Sequence, residues 1–60
     1  MINNKVVKLL LTDGGLIVAI SYDGLSFTEV FYGDNTIIAK AIALAFTKAG
    51  FFYNNSIKLN

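Results

Sequence analysis

No cysteine and no histidine occur among the 60 residues, and tryptophan, proline, arginine and glutamine are missing as well. Without a thiol or an imidazole the chain has no thiolate nucleophile, no histidine base and no soft donor set for zinc. Neither a disulfide nor a structural metal can brace so small a fold. A chain free of cysteine fits a reducing compartment, so the expected location is cytoplasmic, in the host cell if the source is viral. Charge imbalance is lacking too. The formal net charge of +1 provides neither the basic track that nucleic acid needs nor an acidic surface that mimics it. A long apolar span is also absent. The richest stretch, residues 36–53, is interrupted by Lys40 and Lys48 and falls short of the roughly 20 apolar residues that cross a bilayer. Residues 1–5 lead into a short strand-like run rather than a leader peptide.

What is present is apolar. Fully 55% of the residues are hydrophobic, yet a domain of this length buries only about 60% of the surface its unfolded chain exposes. With disulfides and metal excluded, self-association is the remaining way to cover the excess. A homo-oligomer is expected.

Turn signals divide the chain. Residues 5–11 are rich in Val and Leu and read as a strand. Asp13, Gly14 and Gly15 follow as a hairpin turn, because glycine supplies the positive φ that tight turns need. Residues 16–22 form a continuous apolar run with β-branched centres, the pattern of a central strand covered on both faces. Asp23 and Gly24 make a second turn. Residues 25–32 read as a third strand, with Leu25, Phe27, Glu29 and Phe31 on one face and Ser26, Thr28, Val30 and Tyr32 on the other.

At Gly33 the period changes. Asp34, Asn35 and Thr36 are all suited to cap a helix, which runs to about Ala49 and ends at Gly50. Ile37, Ile38, Ala41, Ile42, Ala45, Phe46 and Ala49 form a broad stripe for the chain's own sheet. Ala39, Ala43 and Leu44 extend the apolar surface around the helix, and a helix apolar nearly all round is covered on more than one side. These three, with Phe51, Phe52 and Tyr53, are the expected oligomer interface. Residues 51–59 can add a short C-terminal strand. The expected fold is therefore a single α+β domain over residues 1–60: a three-stranded antiparallel meander, then one apolar helix.

The acids suggest structure rather than catalysis. Asp13 and Asp23 lie in Asp-Gly turns, where the carboxylate bonds local backbone, and Asp34 lies at the helix start. Nothing in the spacing pairs two carboxylates for acid–base work. No catalytic residue, metal ligand or cofactor is expected. A helix N-terminus does attract anions. Gly33, Asp34, Asn35 and Thr36, with Lys40 one turn on and Tyr22 and Tyr32 to stack a ring, make up the candidate site for a nucleotide-like ligand.

From residue 6 to residue 50 the order is strand, Asp-Gly-Gly hairpin, strand, Gly-containing turn, strand, Gly-Asp-x-Thr and an Ala-rich helix. Carried by Gly14, Gly15, Gly33, Asp34, Thr36, Ala39 and Ala43, this order resembles the N-terminal half of the HicB-type antitoxins. The resemblance implies an α+β fold and an inhibitor that binds a protein target. Size, apolarity and the lack of reactive groups suit an accessory protein of a phage or mobile element. The leading expectation is an oligomeric binder that sequesters a nucleotide-like signal of the host; a host protein target is the alternative. Nucleic acid and membrane partners are disfavoured.

Overall fold

The computed structural model describes residues 4–54. Four strands and one helix follow in the order β1 (Val6–Thr12), β2 (Gly15–Ser21), β3 (Thr28–Gly33), α1 (Thr36–Lys48) and β4 (Phe52–Asn54). They form one sheet in the order β3-β2-β1-β4. β2 is antiparallel to β1 and to β3, while β4 lies parallel to β1 on its free side. β3, β1 and β4 thus run the same way. The helix must carry the chain back along the sheet to reach β4, and it crosses β2 and β1 as it does so.

The Asp13 turn closes the first hairpin in tight register, Thr12 opposite Gly15. Gly15 adopts φ 139°, and a Cβ there would stand 2.9 Å from the carbonyl oxygen of Gly33. Both its backbone angle and the close passage of β3 therefore demand glycine.

Tyr22 and residues 25–27 depart from the expected strands on either side of the Asp23 turn. Ser21 Oγ donates to Asp23 Oδ1 at 2.9 Å and accepts from the amide of Gly24 at 2.8 Å. The same carboxylate oxygen accepts from the amides of Leu25 and Ser26 at 2.8 and 3.0 Å. These amides are lost to any ladder, so Leu25 is 85% exposed and β3 starts only at Thr28. The hydrogen bonds from Ser26, Leu25 and the Ser21 hydroxyl lower the Asp23 pKa from its ordinary 3.8 to about 2. A carboxylate whose folded pKa is depressed adds stability above its unfolded value, and that stability disappears as pH falls toward the folded one. Asp23→Asn should therefore melt below the wild type at neutral pH, and the gap should close between about pH 4 and pH 2. Thermal melts of both proteins across this range check the claim.

β3 holds a second departure. Phe31 pairs with Val18 but Glu29 pairs with Ala19, so Val30 is an extra residue in a bulge. One inserted residue resets the alternation. Phe31 joins the core side while Glu29 stays on the far side, although strict alternation predicts a shared face.

Asn35 caps the helix, its side chain accepting from the Ile38 amide at 3.1 Å. At the other end Gly50, at φ 107°, follows the cap residue Ala49. The amide of Phe51 donates to Phe46 O, and that of Gly50 to Thr47 O. This is the Schellman arrangement, completed by an edge-on contact of Phe46 and Phe51 with ring centroids 5.2 Å apart. The Phe52 amide then donates to Lys5 O at 2.8 Å and starts β4.

Val7, Leu9, Leu16, Val18 and Ile20 of the sheet enclose Ala39, Ala43 and Phe51. Here the helix faces are partly exchanged: Ile42 and Phe46 of the expected stripe do pack against the core, but the alanines lie deepest. Ala39 and Ala43 are fully buried against the chain's own sheet, while Ile37, Ile38 and Leu44 are 80%, 46% and 53% exposed. The sheet face is already filled by Leu9, Val7 and Val18, so the helix settles by presenting its smallest residues, four apart on one face. Ala39 and Ala43 therefore have no surface left for a second copy, and Phe51 keeps only 7% of its own. Leu44 and Phe52 remain exposed, and Tyr53 is half-buried.

Candidate functional site

The expected ligand residues do not meet at one place. Tyr22 and Tyr32 close consecutive strands, but antiparallel neighbours end at opposite edges of a sheet. Tyr32 pairs with Ile17, five residues before Tyr22, so the two backbone positions are about 16 Å apart along the strand direction. Tyr22 packs edge-on against Phe51, centroids 5.5 Å apart, at the end of the sheet where the helix finishes. Its ring belongs to the Phe46–Phe51 aromatic cluster.

Tyr32 lies at the helix-start end but on the other face. Its partner Ile17 alternates with Leu16 and Val18, which belong to the core, so Tyr32 projects away from α1. The phenol donates to Gly14 O at 2.8 Å, tying β3 to the first hairpin. A Cβ on Gly14 would stand 2.5 Å from that phenol oxygen, so glycine is required for the contact. The residue stays 55% exposed.

The helix start is a separate feature. Asn35 uses its side chain on Ile38 and its carbonyl on Ala39. The amides of Thr36 and Ile37 lie ahead of the first intrahelical bond. Gly33 closes β3, and Asp34, Asn35, Thr36 and Lys40 are exposed. No acid occupies the first turn; the exposed carboxylate of Asp34, one residue before the cap, is the like charge that an anion there would face. Gly33, Asp34, Asn35, Thr36 and Lys40 stay together; Tyr22 and Tyr32 do not join them. The aromatic ring beside them is that of half-buried Phe31, to which a Cβ on Gly33 would come within 3.0 Å.

Sequence reasoning missed a third feature, the sheet face opposite α1. Lys8 Nζ lies 4.2 Å from the centroid of the Phe27 ring, and Ala19 is buried there apart from the core cluster. The signal was the alternation of Lys8 with Val7 and Leu9. It was obscured by the turn that follows Ser21, which hides that Phe27 faces Lys8.

Among the described residues no three His, Cys, Asp or Glu side chains are grouped to hold a metal ion. No helix among them is long and apolar enough to cross a membrane. No family model, curated protein or solved structure matches the chain.

Proposed function

We propose that this chain is a non-enzymatic binding protein that works as a homo-oligomer, holding a nucleotide-like anion at a boundary between subunits. In a cell it would serve a phage or mobile element by sequestering a small host signal. The observation that carries this reading is the apolar surface left on one copy. Ile37, Leu44 and Phe52 are 80%, 53% and 69% exposed, on both the helix and the sheet side of the molecule. Large apolar side chains left exposed on two sides of so small a molecule support self-association. The anion would take the amides of Thr36 and Ile37, with Lys40 adding charge. Tyr32 of a neighbouring copy would supply the ring. Asp23, the acid with the most hydrogen bonds, spends them on its own loop, which supports a binding role over acid–base catalysis.

Calorimetric titration with mono-, di- and cyclic nucleotides tests the ligand. Binding is expected in the wild type and in Tyr32→Phe, which keeps the ring. Tyr32→Ala should lose about 1–3 kcal/mol of affinity, the worth of a base–aromatic stack. Silence of the wild type across the whole panel would defeat the ligand half of the proposal. A protein target would then be the better reading, favoured by one observation. Ile37, Ile38 and Leu44 are exposed on the outer side of α1, a stripe of the sort that enters a partner's groove. That outcome would bring the chain nearer to the antitoxin-like inhibitors it resembles.

A further inference from the structure

The side of α1 turned away from the sheet is apolar along most of its length. Ala39 and Ala43 are the helix residues buried on the sheet. Ala41 is two residues from each and so lies on the opposite side of the helix. Ile37, Ile38, Leu44 and Ala45 stand three or four residues from Ala41 and share its face. All five are exposed. Charge closes this stripe at both ends. Asp34 precedes the cap and Lys48 ends the helix, each about two turns from Ala41. Both are exposed, and neither side chain has a partner among the described residues.

We infer that this stripe packs antiparallel on the same stripe of a second copy, about a two-fold axis beside Ala41. The inference rests on the homo-oligomer reading above and adds the surface, the direction and the register. In that register Ala41 meets its own equivalent. Ile38 meets Leu44 of the second copy, Ile37 meets Ala45, and Asp34 meets Lys48. Each unlike pair forms twice, as an isologous interface requires. An alanine at the crossing lets the two helices approach, so that the larger side chains on either side can interlock. The positive end of each helix dipole then lies beside the negative end of the other.

The charges also reject the alternatives. Parallel pairing of the same stripe sets Asp34 beside Asp34 and Lys48 beside Lys48, and an interface disfavours like charges brought together. A slip of one turn places Asp34 over Leu44 or Lys48 over Ile38 and breaks both ion pairs. A stripe that runs from an acid, across apolar residues, to a base is complementary to itself under a two-fold axis. That complementarity selects a second copy as the occupant. The sheet face opposite α1 is left uncovered, so Tyr32 of each chain stays open to a copy outside the pair. Lys48 of the second copy also offsets Asp34 beside the amides of Thr36 and Ile37, where an anion would lie.

Sedimentation equilibrium of wild type and variants tests this directly. The wild type is expected to form a dimer or an even multiple of it. Ala41→Glu sets two carboxylates together at the axis and should weaken the pair about a hundredfold or more. The position is exposed, so the circular dichroism of this variant should remain that of the folded chain. Asp34→Lys and Lys48→Glu should each weaken the pair about tenfold, while the combined Asp34→Lys/Lys48→Glu protein should recover to within about threefold of wild type. A wild-type oligomer indifferent to Ala41→Glu, or a double reversal as weak as either single one, would overturn the helix pair and leave the homo-oligomer reading standing. A monomeric wild type would overturn both.

Discussion

Ala43→Asp is expected to unfold the chain, whereas Leu44→Asp, one residue on, should leave it folded. Ala43 is fully buried between α1 and the sheet, among Leu9, Val18 and Phe51 of the core cluster. None of these side chains can pair with a carboxylate. An isolated charge placed there costs several kcal/mol even after relaxation. A 60-residue domain has only about 3–9 kcal/mol of stability in total. The substitution therefore removes most of the stability or all of it. Leu44 is 53% exposed, so a carboxylate there stays in water. Circular dichroism of the two variants decides the matter. A folded Ala43→Asp protein would mean that the helix does not lie on the sheet by its alanine face.

Leu9→Ala should be nearly as damaging. Leu9 is among the largest fully buried side chains, in the middle of β1. β1 is the strand that pairs with both β2 and β4. Truncating a buried leucine costs about 2–5 kcal/mol, the spread reflecting how far the surroundings collapse into the cavity. In so small a domain little can move inward, because the helix is already in close contact through its alanines. Leu11→Ala, two residues along the same strand, removes a side chain that is 38% exposed and should cost distinctly less. Chemical denaturation of the two variants should therefore separate them clearly. Equal midpoints would contradict the assigned core.

Much of the architecture was legible in the sequence because it rests on local chemistry. Asp13, Gly14 and Gly15 announce a hairpin through the dihedral angles they allow. Asn35 and Gly50 bound the helix for similar reasons, one through a side-chain acceptor and one through a positive φ. The α+β class followed from the switch in period at Gly33. What escaped depends on relations between elements. The carboxylate of Asp23 captures amides that a strand reading assigns to a ladder, and only its geometry reveals how many. Val30 carries no mark of a bulge, yet it separates Phe31 from Glu29.

The face of α1 that meets the sheet was obscured by its near-uniform apolarity. When almost every position is hydrophobic, periodicity cannot choose the contact, and side-chain volume decides it. Ala39 and Ala43 win because they let the helix approach a sheet filled by larger residues. The candidate ligand site failed in a similar way. Tyr22 and Tyr32 each end a strand, and sequence position alone brings them near the helix start. Antiparallel pairing sends one to the far end, and alternation sends the other to the far face. The five remaining residues, Gly33 to Thr36 and Lys40, stayed together because they are close in sequence.

The central claim is that one copy of this chain is incomplete and that a second covers its open surface. Mass in solution addresses it most directly. Light scattering on the wild-type protein at micromolar concentration should give twice the 6.5 kDa of the chain, or a larger symmetric multiple, with a mass that falls on dilution. A monodisperse species at the mass of one chain, unchanged by concentration, would contradict the account.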